Sequence, residues 1–128
     1  MVKYRLKKQV NIFGNKFFLL KKNNFKFISS KFLVHMETSC TIDEPVELHP
    51  FAFRTHTHKL GLAVTGWKIN NNKWELIGRH SPQEPQMFYP VVKNATNIRQ
   101  GDIIAARCTM YNFRDHLVRV EQTGRLKI

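Results

Sequence analysis

The chain has 128 residues, 42% of them hydrophobic, which allows one domain with a modest core. Its formal charge of +12 comes mostly from residues 1–40, which hold nine Lys/Arg against one acid, while residues 41–128 hold twelve against eight. Two cysteines, Cys40 and Cys108, exclude a disulfide-dense scaffold and fit no zinc pattern.

Residues 1–32 are basic and built from Lys, Asn, Phe and Ile, without a clean helical period. Three readings stand: a basic arm for an acidic partner, a surface element of the domain, or translated sequence foreign to the natural protein. The low-complexity composition favours the third. The apolar runs Val10–Phe13 and Phe17–Leu20 are too short and too interrupted for a secretory signal or a membrane span. No recognisable nucleic-acid motif accompanies the charge, so no nucleic-acid partner is expected.

From residue 33 onward, short β-like runs alternate with turns. The sequence predicts a strand over Val34–Cys40, a turn at Asp43-Glu44-Pro45 and one long extended run over Leu48–His58, broken at Leu60-Gly61. Leu62–Ile69 and Lys73–Gly78 form a hairpin about Asn70-Asn71-Asn72. Pro82, Pro85 and Pro90 exclude a helix there. Gln100-Gly101-Asp102 turns into the strand Ile103–Met110. The expected class is all-β, an antiparallel sandwich or jelly roll in a single domain over residues 33–128, which the resemblance described below implies is incomplete.

Strand alternation puts Ile104, Ala106, Cys108 and Met110 on one face, with Cys108 pointing inward. It also puts Phe51, Phe53, Thr55 and Thr57 opposite Ala52, Arg54, His56 and His58. His56-Thr57-His58 is the sharpest local feature. Residues i and i+2 of a strand point the same way, so both imidazoles can converge on one metal ion. Imidazole suits copper, zinc, iron and nickel, so the pair does not select the metal. Such pairs are also ordinary surface or core histidines. Arg54, on the same face, suits a bidentate grip on a substrate carboxylate, although a solvated arginine is the commoner fate. His35, His49, His80 and His116 are scattered and expected to be structural. Met36, Met87 and Met110 are expected to pack. Asn94-Ala95-Thr96 is an N-glycosylation pattern.

The run His49-Pro50-Phe51-Ala52-Phe53-Arg54-Thr55-His56-Thr57-His58 resembles the second copper site of the copper type II, ascorbate-dependent monooxygenases. Trp74–Arg79, Ser81-Pro82-Gln83, Pro85-Gln86, Phe88–Val91 and Gly101–Cys108 look like the same domain. Gly78–Val91 is similar to the peptidylglycine alpha-hydroxylating monooxygenases rather than to dopamine beta-monooxygenase, the nearest alternative within the family. The resemblance implies copper at His56 and His58, a substrate carboxylate at Arg54, and ascorbate as electron donor. It implies hydroxylation of the alpha carbon of a C-terminal glycine on a glycine-extended peptide, the first step of amidation, in the secretory pathway. It also implies a methionine as third ligand in a later motif, disulfide partners for Cys40 and Cys108 beyond residue 128, and a second copper domain upstream. The chain is therefore expected to be a fragment that is inactive alone. A non-catalytic β-sandwich module that keeps peptide-carboxylate or metal binding is the competing reading.

Overall fold

The computed structural model describes the backbone of residues 10–12, 15–17, 19–21, 25–93, 96–121 and 124–127, and the side chains of residues 27–93 and 96–119. Every regular element among them is a strand, and every strand pairing is antiparallel. In chain order these are β1 (Val10–Ile12), β2 (Asn15–Phe17), β3 (Leu19–Lys21), β4 (Phe25–Ile28), β5 (Leu33–Thr41), β6 (Glu47–Leu48), β7 (Ala52–Thr57), β8 (Gly61–Asn70), β9 (Lys73–His80), β10 (Tyr89–Pro90), β11 (Ile98–Arg99), β12 (Ile103–Tyr111), β13 (Val118–Glu121) and β14 (Gly124–Lys127).

Two four-stranded sheets make the sandwich expected from the sequence. One has the order β5-β12-β8-β9 and the other β10-β7-β14-β3. Three short pairs, β1-β2, β6-β11 and β4-β13, complete the described strands. Strand β12 lies between β5 and β8, and its alternation is the predicted one: Ile104, Ala106, Cys108 and Met110 are buried, while Arg107 and Thr109 are half-buried. Ala105 is buried as well. The β8–β9 hairpin turns at Asn71 and Asn72, whose φ of 47° and 61° are the left-handed values such a two-residue turn requires. Asparagine tolerates that region better than most residues.

The core joins Ile28, Met36, Ile42, Phe53, Leu60, Val64, Ile77, Val91, Ile98, Ile104 and Met110. The Phe53 ring of β7 packs against Gly78 of β9. A Cβ at Gly78 would stand 2.2 Å from the Phe53 ring, so only glycine permits the two sheets this close approach.

Two details depart from the strand reading. The Leu48–His58 run is not continuous: β6 pairs with β11, the chain turns through His49–Phe51, and β7 begins at Ala52. Pro50 has no N–H to give a ladder. Phe51 consequently lies outside the strand and is 78% exposed, instead of sharing the buried face of Phe53. The second detail concerns residue 33, where composition changes. The backbone pairs β4 with β13 across that point, and Ile28 is fully buried. The peptide N–H of Lys31 donates to the Asn112 carbonyl at 2.8 Å, and Asn112 N–H donates to the Phe32 carbonyl at 3.1 Å.

Candidate metal centre

Strand β7 is an inner strand, with β10 on one side and β14 on the other. Its burial alternates along the whole strand. Phe53, Thr55 and Thr57 are buried at 3%, 3% and 6% exposure, and Ala52, Arg54 and His56 are half-buried on the opposite face. His58 follows directly and is exposed. The structure therefore places Arg54 and His56 on one outward face, with His58 at its end.

The rings of His56 and His58 stand 5.9 Å apart between centroids and are nearly perpendicular. Two imidazoles that share one ion through nitrogen–metal bonds of about 2 Å hold their centroids no more than roughly 6 Å apart. The observed separation fits that limit. Apart from this mutual ring contact, neither ring has a hydrogen-bond partner among the described residues. Two borderline nitrogen donors are a suitable set for copper.

Among the described residues, no third His, Cys, Asp or Glu ligand is in place. No cluster of three or more His, Cys, Asp or Glu residues suited to a metal occurs among the described residues. The other histidines have their own partners: His35 meets Thr109 at 3.1 Å, His49 meets Glu47 at 3.6 Å, and His116 meets Asp115 at 2.8 Å. Met36 and Met110 are buried and Met87 is exposed.

The backbone at His58 is heavily restrained. Its carbonyl accepts from the Gly61 N–H at 2.9 Å, the Thr57 hydroxyl at 3.0 Å and the Gln83 amide at 3.2 Å. The same Gln83 amide reaches the Gly61 carbonyl at 3.0 Å. Three residues on, the Gln86 side-chain carbonyl accepts from Arg54 Nη2 at 3.3 Å. The segment 81–88 that carries both glutamines is fixed at its ends. His80 Nε2 lies 3.0 Å from the Glu84 carboxylate, its ring stacks on Tyr89 at 3.7 Å, and the Tyr89 hydroxyl donates to the Pro85 carbonyl at 2.8 Å. The side-chain roles of Gln83 and Gln86 were invisible in the sequence. Their partners lie 22–32 positions away, and glutamine carries no spacing signal.

Cys40 and Cys108 are both buried and free. The ladder opposes Cys40 to Ile104 and Cys108 to Met36, which sets the two thiols four residues apart along the sheet. That is about 13 Å at roughly 3.3 Å per residue, beyond the roughly 7 Å limit for a disulfide. Burial pushes the Cys40 thiol up to about 11 and the Cys108 thiol up to about 12. Asn94 lies outside the described residues. Its neighbour Thr96 is buried and donates to Glu75.

Residues 18–123 match the family model described as copper type II ascorbate-dependent monooxygenase, C-terminal domain. The match begins ahead of residue 33 and includes β4. Peptidyl-glycine alpha-amidating monooxygenase A of Xenopus laevis is 51% identical over 75 residues, and its form B is 50% identical over 76. The peptidyl-glycine alpha-amidating monooxygenase of Mus musculus is 47% identical over 76. Each alignment covers 59% of this chain and 8% of the relative, so the chain spans a small part of those proteins. With the family model matched over most of its length, the chain belongs to the copper type II ascorbate-dependent monooxygenases, as their C-terminal domain.

Proposed function

We propose that this chain forms the peptide-binding and oxygen-activating part of a monooxygenase that hydroxylates the alpha carbon of a C-terminal glycine. One observation carries the reading: Arg54 and His56 share the outward face of β7, with His58 at its end. The relatives' names specify peptidyl-glycine as what those proteins act on. In this reading His56 and His58 hold copper, which when bound supplies the redox chemistry with oxygen, and ascorbate supplies electrons. Arg54 takes the terminal carboxylate of the peptide in a charge-assisted, two-pronged hydrogen bond. Its planar fork, braced by Gln86, fixes the glycine relative to the histidines and lowers the entropic part of the barrier. A second copper domain, upstream in the longer protein, completes the enzyme.

Copper titration with metal analysis tests the ligand assignment. One copper per chain is expected, lost in His56→Ala and in His58→Ala. Retention of stoichiometric copper in both variants would sink it. Arg54→Gln is expected to weaken binding of a glycine-extended peptide by at least tenfold while copper stoichiometry holds. With two imidazoles and no third His, Cys, Asp or Glu beside them among the described residues, the isolated chain is expected to bind copper without turning over. Turnover of a glycine-extended peptide by the chain alone, with copper and ascorbate, would contradict that.

A further inference from the structure

His80 ends strand β9 with 19% of its side chain exposed, and both of its ring nitrogens meet an oxygen. Nδ1 lies 3.1 Å from the Ser81 carbonyl, and Nε2 lies 3.0 Å from the Glu84 carboxylate. A carbonyl and a carboxylate only accept hydrogen bonds, and a neutral imidazole has one N–H to give. The arrangement is therefore complete only when His80 carries two protons and a positive charge. Its ring also lies nearly parallel to Tyr89, 3.7 Å between centroids, where a cation gains from the π face. Glu84 faces the ring from the segment 81–88 and Tyr89 faces it from β10. Strand β8 offers apolar Val64 as its ladder partner, and β7 meets Tyr89 through Phe53. Arg79 alternates to the other face of β9.

The segment that His80 clasps carries both glutamines of the candidate site. Gln83, next to Glu84, donates to the His58 and Gly61 carbonyls, and Gln86 accepts from Arg54 at 3.3 Å. The Ser81 carbonyl also accepts from the Glu84 N–H at 3.3 Å, so the ring and the backbone close the same turn. Resting on the proposed carboxylate role of Arg54, we propose that His80 is a positioning residue for the peptide. In its charged form it clasps Ser81 and Glu84, holds Gln86 against Arg54, and so sets the guanidinium for the terminal carboxylate. As pH rises through the imidazole range, the neutral ring keeps one N–H and turns a lone pair toward the other oxygen. The clasp then loosens, Gln86 is held less firmly, and peptide affinity falls.

The test is calorimetric binding of an acetylated alanine tetrapeptide ending in glycine to the copper-free full chain, at pH 5.5 and at pH 8. His80→Gln is expected to bind about threefold more weakly than the parent at pH 5.5 and equally at pH 8, the size of an exposed ion pair. Any pH dependence that His80→Gln keeps belongs to other groups, His56 and His58 among them. Glu84→Gln has the opposite signature. Its amide donates as well as accepts, so a neutral His80 can satisfy both neighbours. This variant is expected to equal the parent at pH 5.5 and to bind about threefold more tightly at pH 8. A gain of the same size at both pH values would be a bare charge effect and would overturn the proposal. So would a parent whose pH dependence is no steeper than that of His80→Gln, and the Arg54 reading then stands as long as Arg54→Gln weakens binding. Arg54→Gln binding as tightly as the parent overturns that reading and the proposal with it. Glu84 is 59% exposed, so Glu84→Gln keeps the fold and decides the matter alone if His80→Gln does not fold.

Discussion

The carbonyl of His58 accepts from the Gly61 N–H, the Thr57 hydroxyl and the Gln83 amide. An exposed residue at a strand end ordinarily makes fewer such contacts, and here they orient the backbone from which an imidazole projects. In the proposed role of His58 as a copper ligand, metal affinity depends on that orientation, because every degree of freedom removed beforehand need not be removed on binding. Gln83→Ala is expected to weaken copper binding about fivefold, the worth of roughly one net hydrogen bond, with stoichiometry unchanged. Competition against a chelator of known affinity measures it, and an unchanged affinity would remove Gln83 from the site. The cysteines make a second residue-scale case. With their thiols held at about 11 and about 12, Cys40 and Cys108 stay protonated at pH 8 in the folded chain. The nucleophile is the thiolate, so an alkylating reagent at pH 8 is expected to leave both unmodified until denaturant is added. Rapid labelling of either in the native chain would contradict their burial. Alternation made the inward direction of Cys108 and the shared face of Arg54 and His56 legible in the sequence. The thiol shifts and the Gln83 contacts depend on neighbours brought from elsewhere in the chain, which periodicity does not report.

Strands and turns were legible wherever a local rule sets them. The β8–β9 hairpin follows from its asparagines, and β12 follows from its period of two. Continuity failed between Leu48 and Ala52, since a composition suited to strands on both sides of Pro50 does not say that the two pieces join different partners. The turn before β12 shows how an element end is secured. Asp102 is buried, with its carboxylate on the Asn70 amide, on the Arg99 N–H at 2.8 Å, and 3.6 Å from the Lys68 ammonium. Burial pushes this carboxyl up, but the Asn70, Arg99 and Lys68 contacts outweigh burial and hold it below the usual carboxylate range. A carboxyl depressed in the fold stabilises fully above its unfolded value near pH 4, and that contribution is lost as pH falls through the lower, folded value. Asp102→Asn is expected to cost about 2–3 kcal/mol at pH 7, because Lys68 keeps its half-buried place without a counter-charge. The gap between parent and variant should then narrow below pH 4. Urea midpoints across pH 3–7 measure it, and a gap that widens on acidification would reverse the argument.

At the scale of the molecule, two strands that precede residue 33 pair with the end of the described chain, β3 with β14 and β4 with β13. Composition sets the segment that holds them apart, but pairing is a property of backbone groups and leaves no trace in composition. Strand β4 supplies the partner of β13, and Ile28 reaches the core with no exposed surface. Asn112, itself fully buried, ties the junction together: its side-chain amide donates to the Ile28 carbonyl at 2.9 Å and to the His116 carbonyl at 2.8 Å. Removing residues 1–32 would strip the β13 partner, empty the Ile28 site and leave two Asn112 donors, one on the side chain and one on the backbone, without their acceptors. A buried isoleucine and an unsatisfied amide together are worth at least about 3 kcal/mol. That is a large share of the roughly 5–15 kcal/mol that holds a domain of this size. Removing only residues 1–24 retains β4, Ile28 and the Asn112 contacts, and forfeits β3, whose place is at the sheet edge beyond β14. The shorter deletion is therefore expected to fold with a modestly lower urea midpoint, followed through Trp67 and Trp74 fluorescence. The longer deletion should unfold at far lower urea or fail to fold. Equal midpoints for the two would mean that residues 25–32 add nothing to the domain.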